Sequence, residues 1–488
     1  MVTAGAMPRV AGGATVDLAD VQGNILRGYR KARVRHLVVC VTDARRGRAW
    51  IAAASARDAT AGPRITDAGD WSRPPDTCFN VGFTATGLRA LGVPDGIVRT
   101  FPAPWQQGMA ARATIIGDWG DSDPAHWHAR YRDSGSVHLI VSLHADSTAL
   151  LDEIERAAMT LPGGDALRIL GRDEGHRFEG GAVHFGYRDN IAQPRFEGIT
   201  HPGKYDDQPR APLGTVLLGY DTDMQELRWS LPDPAVLGFN GAFNAYRVLE
   251  QDVAGFEAFL DRAADEVLRS PAADELLPPG TDSDVGGGGA TRRAAMREVV
   301  AAKLMGRWRN GTPLAVSPDH TSSQPGVPTN DFDYVDDPQG LKCPYGSHIR
   351  RGNPRGGKIV QRVSNHTRRL VRRGFPYGPP YDPARPDTIE RGLLGNFLCA
   401  NLEAQFEAVM YDWLNLGLLD PRLLGSNDPL VGVNDETAGW FRLPTRQGTI
   451  ILRGIPRLVR TRGGAYTFLP GMSALRWIGS FQLGSAHP

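Results

Sequence analysis

The run Cys343-Pro344-Tyr345-Gly346-Ser347-His348-Ile349-Arg350-Arg351-Gly352-Asn353-Pro354-Arg355 sets one histidine just past a Pro/Gly turn, among arginines, and closes on a second proline. A neutral imidazole is a common metal ligand, and the prolines and glycines hold it in a fixed frame. Nearby guanidinium groups suit a carboxylate-bearing cofactor better than a bare ion. Haem meets both demands, because its iron takes an axial imidazole and its propionates take arginine. By spacing alone a single histidine is structural or surface-borne by default, so the reading needs partners elsewhere in the chain. Two further stretches stand out. Val183-His184-Phe185-Gly186-Tyr187-Arg188-Asp189-Asn190-Ile191-Ala192-Gln193-Pro194 carries an acid in a Gly/Asn/Pro-rich setting, and Arg368-Arg369-Leu370-Val371-Arg372-Arg373-Gly374-Phe375-Pro376-Tyr377-Gly378 is strongly basic. Taken alone, Asp189 reads as a turn residue, since Asp-Asn is a favoured turn pair, and Arg372 with its neighbours reads as a solvated basic face.

Composition narrows what such residues serve. A chain of 488 residues has the length of two or three domains and enough apolar content for real cores. Its net charge of +1 indicates neither a nucleic-acid tail nor an acidic solvating region. Cys40, Cys78, Cys343 and Cys399 stand far apart with no C-x-x-C pair, which argues against a disulfide framework or structural zinc and fits a reducing compartment. The N-terminal residues show no apolar core of a signal peptide and no twin arginine. No run of about 18 apolar residues exists, so no membrane span is expected. A cytoplasmic globular protein is the expectation.

The elements that position these stretches follow a repeated pattern. Residues 1–16 read as a disordered leader. Arg33 to Thr42 reads as a buried strand, Asp43 caps a helix to about Ala56, and Cys78 to Thr84 reads as a strand before a short helix over Ala85 to Leu91. Val137 to His144 is a further strand. Thr148 to Leu161 is an amphipathic helix with Leu150, Leu151, Ile154 and Ala158 on one stripe, and a strand follows near Ala166 to Leu170. This is a βαββαβ order, and the first domain spans 17–212. The second, 213–488, opens with strands over Thr215 to Tyr220 and Tyr246 to Glu250, then a helix over Gln251 to Leu268. A Gly-rich insertion near 277–291 precedes a helix over Arg292 to Trp308. Gly395 to Ala400 reads as a strand leading into a helix over Asn401 to Leu414, and Thr449 to Leu452 and Tyr466 to Leu469 supply late strands. His126-Trp127-His128 is a tempting metal pair without a third ligand.

Taken in order, Gly186-x-x-Asp189, the His348 run and Arg372-Arg373-Gly374-Phe375-Pro376-Tyr377-Gly378 resemble the dye-decolourising peroxidases, haem peroxidases of the chlorite-dismutase-like superfamily. The resemblance extends to Val21–Tyr29, Ala301–Trp308, Glu390–Leu394 with Glu403–Glu407, and Gly464–Gly471, so it runs from about residue 17 to the end. It implies an α+β chain of two ferredoxin-like domains (a dimeric α/β-barrel arrangement), each an antiparallel sheet with peripheral helices. Haem b would sit mainly in the second. It also implies a peroxidase that reduces hydrogen peroxide and oxidises small aromatic donors, dyes and phenolics by one-electron steps through an iron-oxo intermediate. His348 matches the proximal metal ligand, Asp189 the distal acid and Arg372 the distal arginine. A distal carboxylate can move the peroxide proton from one oxygen to the other, and a guanidinium can keep that acid ionised and stabilise charge on the departing oxygen. An acidic partner on the far nitrogen of His348 would give the ring anionic character; Glu403 is the candidate, Glu407 the second. Arg355 and Arg350 are candidates for the propionates. No nucleic-acid or membrane partner is implied, and the resemblance is compatible with a homo-oligomer.

Three positions depart from the resemblance. Asn190 follows the distal acid where glycine is usual; asparagine is the next residue to tolerate a left-handed backbone, but its side chain would reach into the pocket. Gly395 and Asn396 stand where bulky apolar residues are usual, which would enlarge the cavity or make it more polar. Asn401 stands where an acid is usual, which weakens Glu403 as the partner of His348. A haem-binding or haem-handling protein with blunted turnover is therefore the alternative reading. Bulky dyes would need an aromatic route for electrons to the surface, and nothing in the sequence selects among Trp308, Trp413, Trp440 and Tyr466.

Overall fold

The structure is a computed structural model that describes residues 16–56, 62–69, 71, 74–199, 210–224, 227–278, 288–319, 330–357 and 368–481. The expected leader lies outside the described residues except for Val16, as does 279–287 of the Gly-rich insertion.

The first half of the chain builds β1 (Arg33–Val41), α1 (Ala44–Ala54), β2 (Cys78–Phe83), β3 (Leu139–Ala145), α2 (Thr148–Met159) and β4 (Leu167–His176). Local chemistry sets the boundaries. Asp43 accepts a hydrogen bond from the Arg46 N–H and Ser147 accepts one from the Leu150 N–H, so each helix starts on a side-chain cap. α2 buries Leu151, Ile154 and Ala158 on the stripe read from the sequence. The second half builds β5 (Ala242–Gln251), α3 (Val253–Leu268), α4 (Gly288–Met305), α5 (His348–Gly352), β6 (Val371–Tyr377) and β7 (Gly392–Cys399). Two wide helical turns follow at Leu402–Glu407 and Val409–Asn415. Then come β8 (Trp440–Thr445), β9 (Gly448–Arg453), β10 (Val459–Leu469) and α6 (Met472–Ser480). No helix among the described residues is long and apolar enough to cross a membrane.

Eight strands form one antiparallel sheet in the order β4-β1-β3-β2-β10-β5-β7-β6. The first four strands stand in the order fourth, first, third, second, and β5, β6, β7 and β10 repeat that order. The ferredoxin-like βαββαβ pattern is thus laid down twice. The halves meet at β2 and β10 through the pair Phe83–Phe468. The sheet curls until β4 lies beside β6, where a Cβ on Gly175 would stand 2.7 Å from Phe375 Cβ and 3.0 Å from the Pro376 carbonyl oxygen. Only glycine allows that approach. β4 and β6 do not pair, so the sheet stays open and no barrel closes.

One expectation fails. Residues 215–220 form no strand: Leu213–Thr215 is a 3₁₀ turn, and Gly219 has φ of 97°. Val216, Leu217 and Leu218 are apolar because they are buried, not because they pair. Thr449–Leu452 is a strand, but it belongs to a separate hairpin in which β9 pairs with β8.

Alternation sends successive side chains to opposite faces. The inner face of the curl is polar at its centre. Asp173 of β4 accepts from the Tyr246 hydroxyl of β5 at 2.8 Å and from Tyr131 and Arg130, while His36 Nδ1 lies 2.8 Å from Ser142 Oγ. Burial pushes both His36 and His144 down to about 3. The outer face of β5, β6, β7 and β10 carries Arg247, Leu249, Arg372, Gly374, Gly395, Phe397, Val459 and Thr461, all bordering one cavity.

Because both rings are neutral when folded, the unfolded chain binds more protons once the pH falls below about 6.5. Stability is therefore expected to be unaffected by these rings above that pH and to be lost progressively down to about pH 3, each ring contributing a slope of up to about 1.4 kcal/mol per pH unit. In urea unfolding, His144→Gln should show a smaller loss between pH 7 and 5 than the parent chain.

Candidate functional site

His348 opens α5, and that turn is pinned from both sides. Ser347 Oγ donates to the Lys303 carbonyl at 2.5 Å. Arg350 donates to the Asp337 carboxylate and carbonyl, both at 2.9 Å, and to the Cys343 carbonyl at 2.6 Å. Arg351 donates to the carbonyls of Trp413 and Ser426 at 3.2 and 3.0 Å. Held this way, the imidazole borders the cavity and turns Nδ1 onto Asp428 Oδ2 at 3.0 Å. The Asp428 side chain has no exposed surface. Burial by itself would raise its carboxyl, but His348, Arg351 and the Val431 N–H outweigh that and hold it below the usual carboxylate range. Its second oxygen accepts from the N–H groups of Leu430 and Val431 at 2.9 and 3.0 Å.

Glu403 is therefore not the partner of His348. It is exposed on its helical turn, whose cap is Asn401, accepting from the Ala404 N–H at 2.8 Å. Glu407 is buried but taken, paired with Arg112 and accepting from the Tyr466 hydroxyl at 2.9 Å. Sequence reasoning missed Asp428 because Ser-Asn-Asp-Pro reads as a turn. The contact closes across 80 residues, and only the fold reports it.

The cavity measures about 340 Å³ and lies between the outer face of the sheet and α5. Asp189, Asn190, Arg372, His348 and Arg355 all border it. Arg350 does not; its guanidinium is spent on Asp337 and Cys343, so it braces the histidine turn and is no propionate ligand. Arg355 stands at the wall with φ of 52° and donates to the carbonyls of Asn330 and Phe332 at 2.8 and 2.7 Å. Arg307 and Arg369 border the same cavity, and the sequence reading had not singled them out. His184 Nε2 donates to the Tyr377 carbonyl at 2.8 Å, and burial pushes the ring down to about 4, as befits a core histidine. His126 and His128 go to the Gly120 carbonyl and Glu390, and no metal-holding group of three His, Cys, Asp or Glu occurs among the described residues.

On the sheet side, Arg309 holds the loop that carries Asp189: it donates to the Phe185 carbonyl, and its own carbonyl accepts from the Arg188 N–H at 2.9 Å. Asp189 N–H donates to the Gly181 carbonyl at 3.0 Å. A Cβ on Gly374 would lie 3.6 Å from Asp189 Oδ2, which puts the carboxylate against β6. Asp189 and Arg372 form no ion pair among the described residues; Arg372 Nη2 donates to the Ala192 carbonyl at 2.8 Å. Asn190 has φ of 59°, so asparagine adopts the left-handed backbone that glycine would have supplied. The Gly395 position is not an open void, because a Cβ there would stand 2.7 Å from the Phe397 ring, which fills the space two residues further along the same strand face. Asn396 adds less polarity than expected, since its oxygen is taken by Asn244 Nδ2 at 2.8 Å.

These residues fit a haem. A planar apolar group with two carboxylates matches a cavity walled by Leu249, Met305, Phe397, Phe406, Leu430 and Val459, with Arg307, Arg355 and Arg369 at its border. Nδ1 of His348 is engaged by a buried carboxylate, which leaves Nε2 for the metal, the arrangement that orients metal-bound histidines generally.

Comparison with known proteins agrees. The family described as the DyP dimeric alpha+beta barrel domain matches residues 20–169. The dye-decolorizing peroxidase msp1 of Mycetinis scorodonius is 27% identical over 95% of this chain and 88% of its own length. The multifunctional dye peroxidase DyP2 of an Amycolatopsis species is 29% identical over 95% of this chain and 96% of its own. Among solved structures, a dye-decolorizing peroxidase in complex with 2,6-dimethoxyphenol superposes with a TM-score of 0.76 at 25% identity, covering 95% of this chain and 100% of that one. With the repeated strand order and the histidine-bearing cavity, these likenesses make the chain similar, over almost its whole length, to dye-decolorizing peroxidases.

Proposed function

We propose that this chain is a peroxidase that binds haem b, reduces hydrogen peroxide and oxidises small aromatic donors such as phenolics and dyes. The observation that carries the reading is a single cavity bordered by Asp189, Arg372 and His348, with the histidine backed by a fully buried carboxylate. Haem would supply an iron centre able to take up two oxidising equivalents from peroxide and hand them on singly. His348 Nε2 would hold that iron, and Arg307, Arg355 and Arg369 would take the carboxylates.

The chain's own residues then handle the proton. Asp189 has no hydrogen-bond partner for its carboxylate among the described residues, so it is available to accept the proton of the peroxide oxygen that becomes bound and to return it to the oxygen that leaves as water. Arg372 stabilises the negative charge that builds on the departing oxygen. Asp428 draws the Nδ1 proton of His348 and raises the ring's donor strength. The four cysteines are buried and unpaired, which supports a cytoplasmic setting.

Mixing the haem-loaded protein with one equivalent of peroxide should produce a fast Soret change; slow bleaching in its place would overturn the peroxidase reading. His348→Ala should lose haem during purification. Asp189→Asn and Arg372→Leu should keep haem and slow the Soret change by about 10² to 10⁴. Asp428→Asn is expected to weaken haem retention or turnover by about 10- to 100-fold, and Glu403→Gln should leave both unchanged.

A further inference from the structure

β6 is the last strand of the sheet, so one of its edges has no neighbouring strand to satisfy its N–H and C=O groups. At Arg372 that edge is closed by a side chain. Gln193 Nε2 donates to the Arg372 carbonyl at 2.7 Å, and Gln193 Oε1 accepts from the Arg372 N–H at 3.0 Å. A primary amide carries a donor and an acceptor side by side, and one orientation of it satisfies both bonds. Gln193 therefore acts as a one-residue strand laid against Arg372. A third bond runs the other way, from Arg372 Nη2 to the Ala192 carbonyl at 2.8 Å.

Gln193 lies on the loop that carries Asp189, and Arg372 is the other residue to which the peroxide chemistry is assigned. The upstream end of the loop is fixed by Arg309, through the Phe185 carbonyl and the Arg188 N–H. Asp189 sits between the two fastenings. With no ion pair between Asp189 and Arg372 among the described residues, their relative position depends on backbone fastening and not on their own attraction. We propose that Gln193 is a positioning residue, a latch that sets the distal acid in register with the distal arginine. This rests on the peroxidase reading for its consequence, though not for its geometry.

The test has two arms. In the haem-free chain, hydrogen exchange at the Arg372 amide should be slow, and Gln193→Ala should speed it at least tenfold while neighbouring β6 amides bonded to β7 stay protected. In the haem-loaded Gln193→Ala protein the bimolecular rate constant for the peroxide-driven Soret change should fall about 10- to 100-fold, the cost of misplacing a reacting group by about 1 Å. Haem content and the rate constant for reduction by an aromatic donor should match the parent, a split that general loosening would not produce. Arg372 exchange that stays slow in the variant overturns the latch. Faster exchange with an unaltered peroxide rate constant overturns its positioning role. A parent protein that binds haem but shows no Soret change overturns the peroxidase reading instead, and the exchange arm still decides the latch.

Discussion

A carboxylate with no exposed surface is expensive unless both oxygens are answered, and Asp428 meets that demand with one imidazole and two backbone N–H groups. The contact couples two loops separated by 80 residues and fixes which nitrogen of His348 remains for a metal. Much of the second half exists to hold it. Ser347 and Arg350 brace the histidine turn from one side, and Arg351 braces it from the other through the carbonyls around Trp413 and Ser426. Replacing any of these by an apolar residue would leave carbonyls or a carboxylate unanswered in the interior, at a cost of about 1–3 kcal/mol for each group.

The opposite wall of the cavity follows from a different constraint, the period of two along a strand. Arg372 and Gly374 share one face of β6, and Gly395 and Phe397 share one face of β7, so alternate residues supply chemistry and space while those between them serve the inner face of the curl. The inner face holds a polar cluster around Asp173, Tyr246, His36 and His144, an unusual burden for a core. It is tolerable because most of its members find partners across the curl.

The sheet also explains why departures from the familial pattern leave the pocket recognisable. Asparagine at 190 adopts the positive φ required there. The missing side chain at Gly395 is offset by Phe397, the next residue on the same face, and Asn396 turns its oxygen to Asn244. At Asn190 and Gly395 the substitution is absorbed within one turn or one strand repeat, and at Asn396 by a partner on the adjacent strand β5.

How much of this was legible in the residues alone varies with distance along the chain. β1, the Asp43-capped helix and the stripe of α2 were readable, because periodicity and caps act over a few residues. His348, Asp189 and Arg372 were readable as motifs, each with its local turn or basic run. Residues 215–220 misled, since burial and strand pairing both select apolar side chains. Arg350 was misassigned because an arginine beside a ligand looks alike whether it faces a cofactor or a carbonyl. What the sequence by itself determined is the βαββαβ order of the first half and the histidine, aspartate and arginine of the three motifs. Only the tertiary structure decided that Asp428, not Glu403, backs the histidine, and that Gln193 closes the edge of β6. Both are contacts between segments far apart in the chain, and their geometry depends on how the loops close rather than on any local preference.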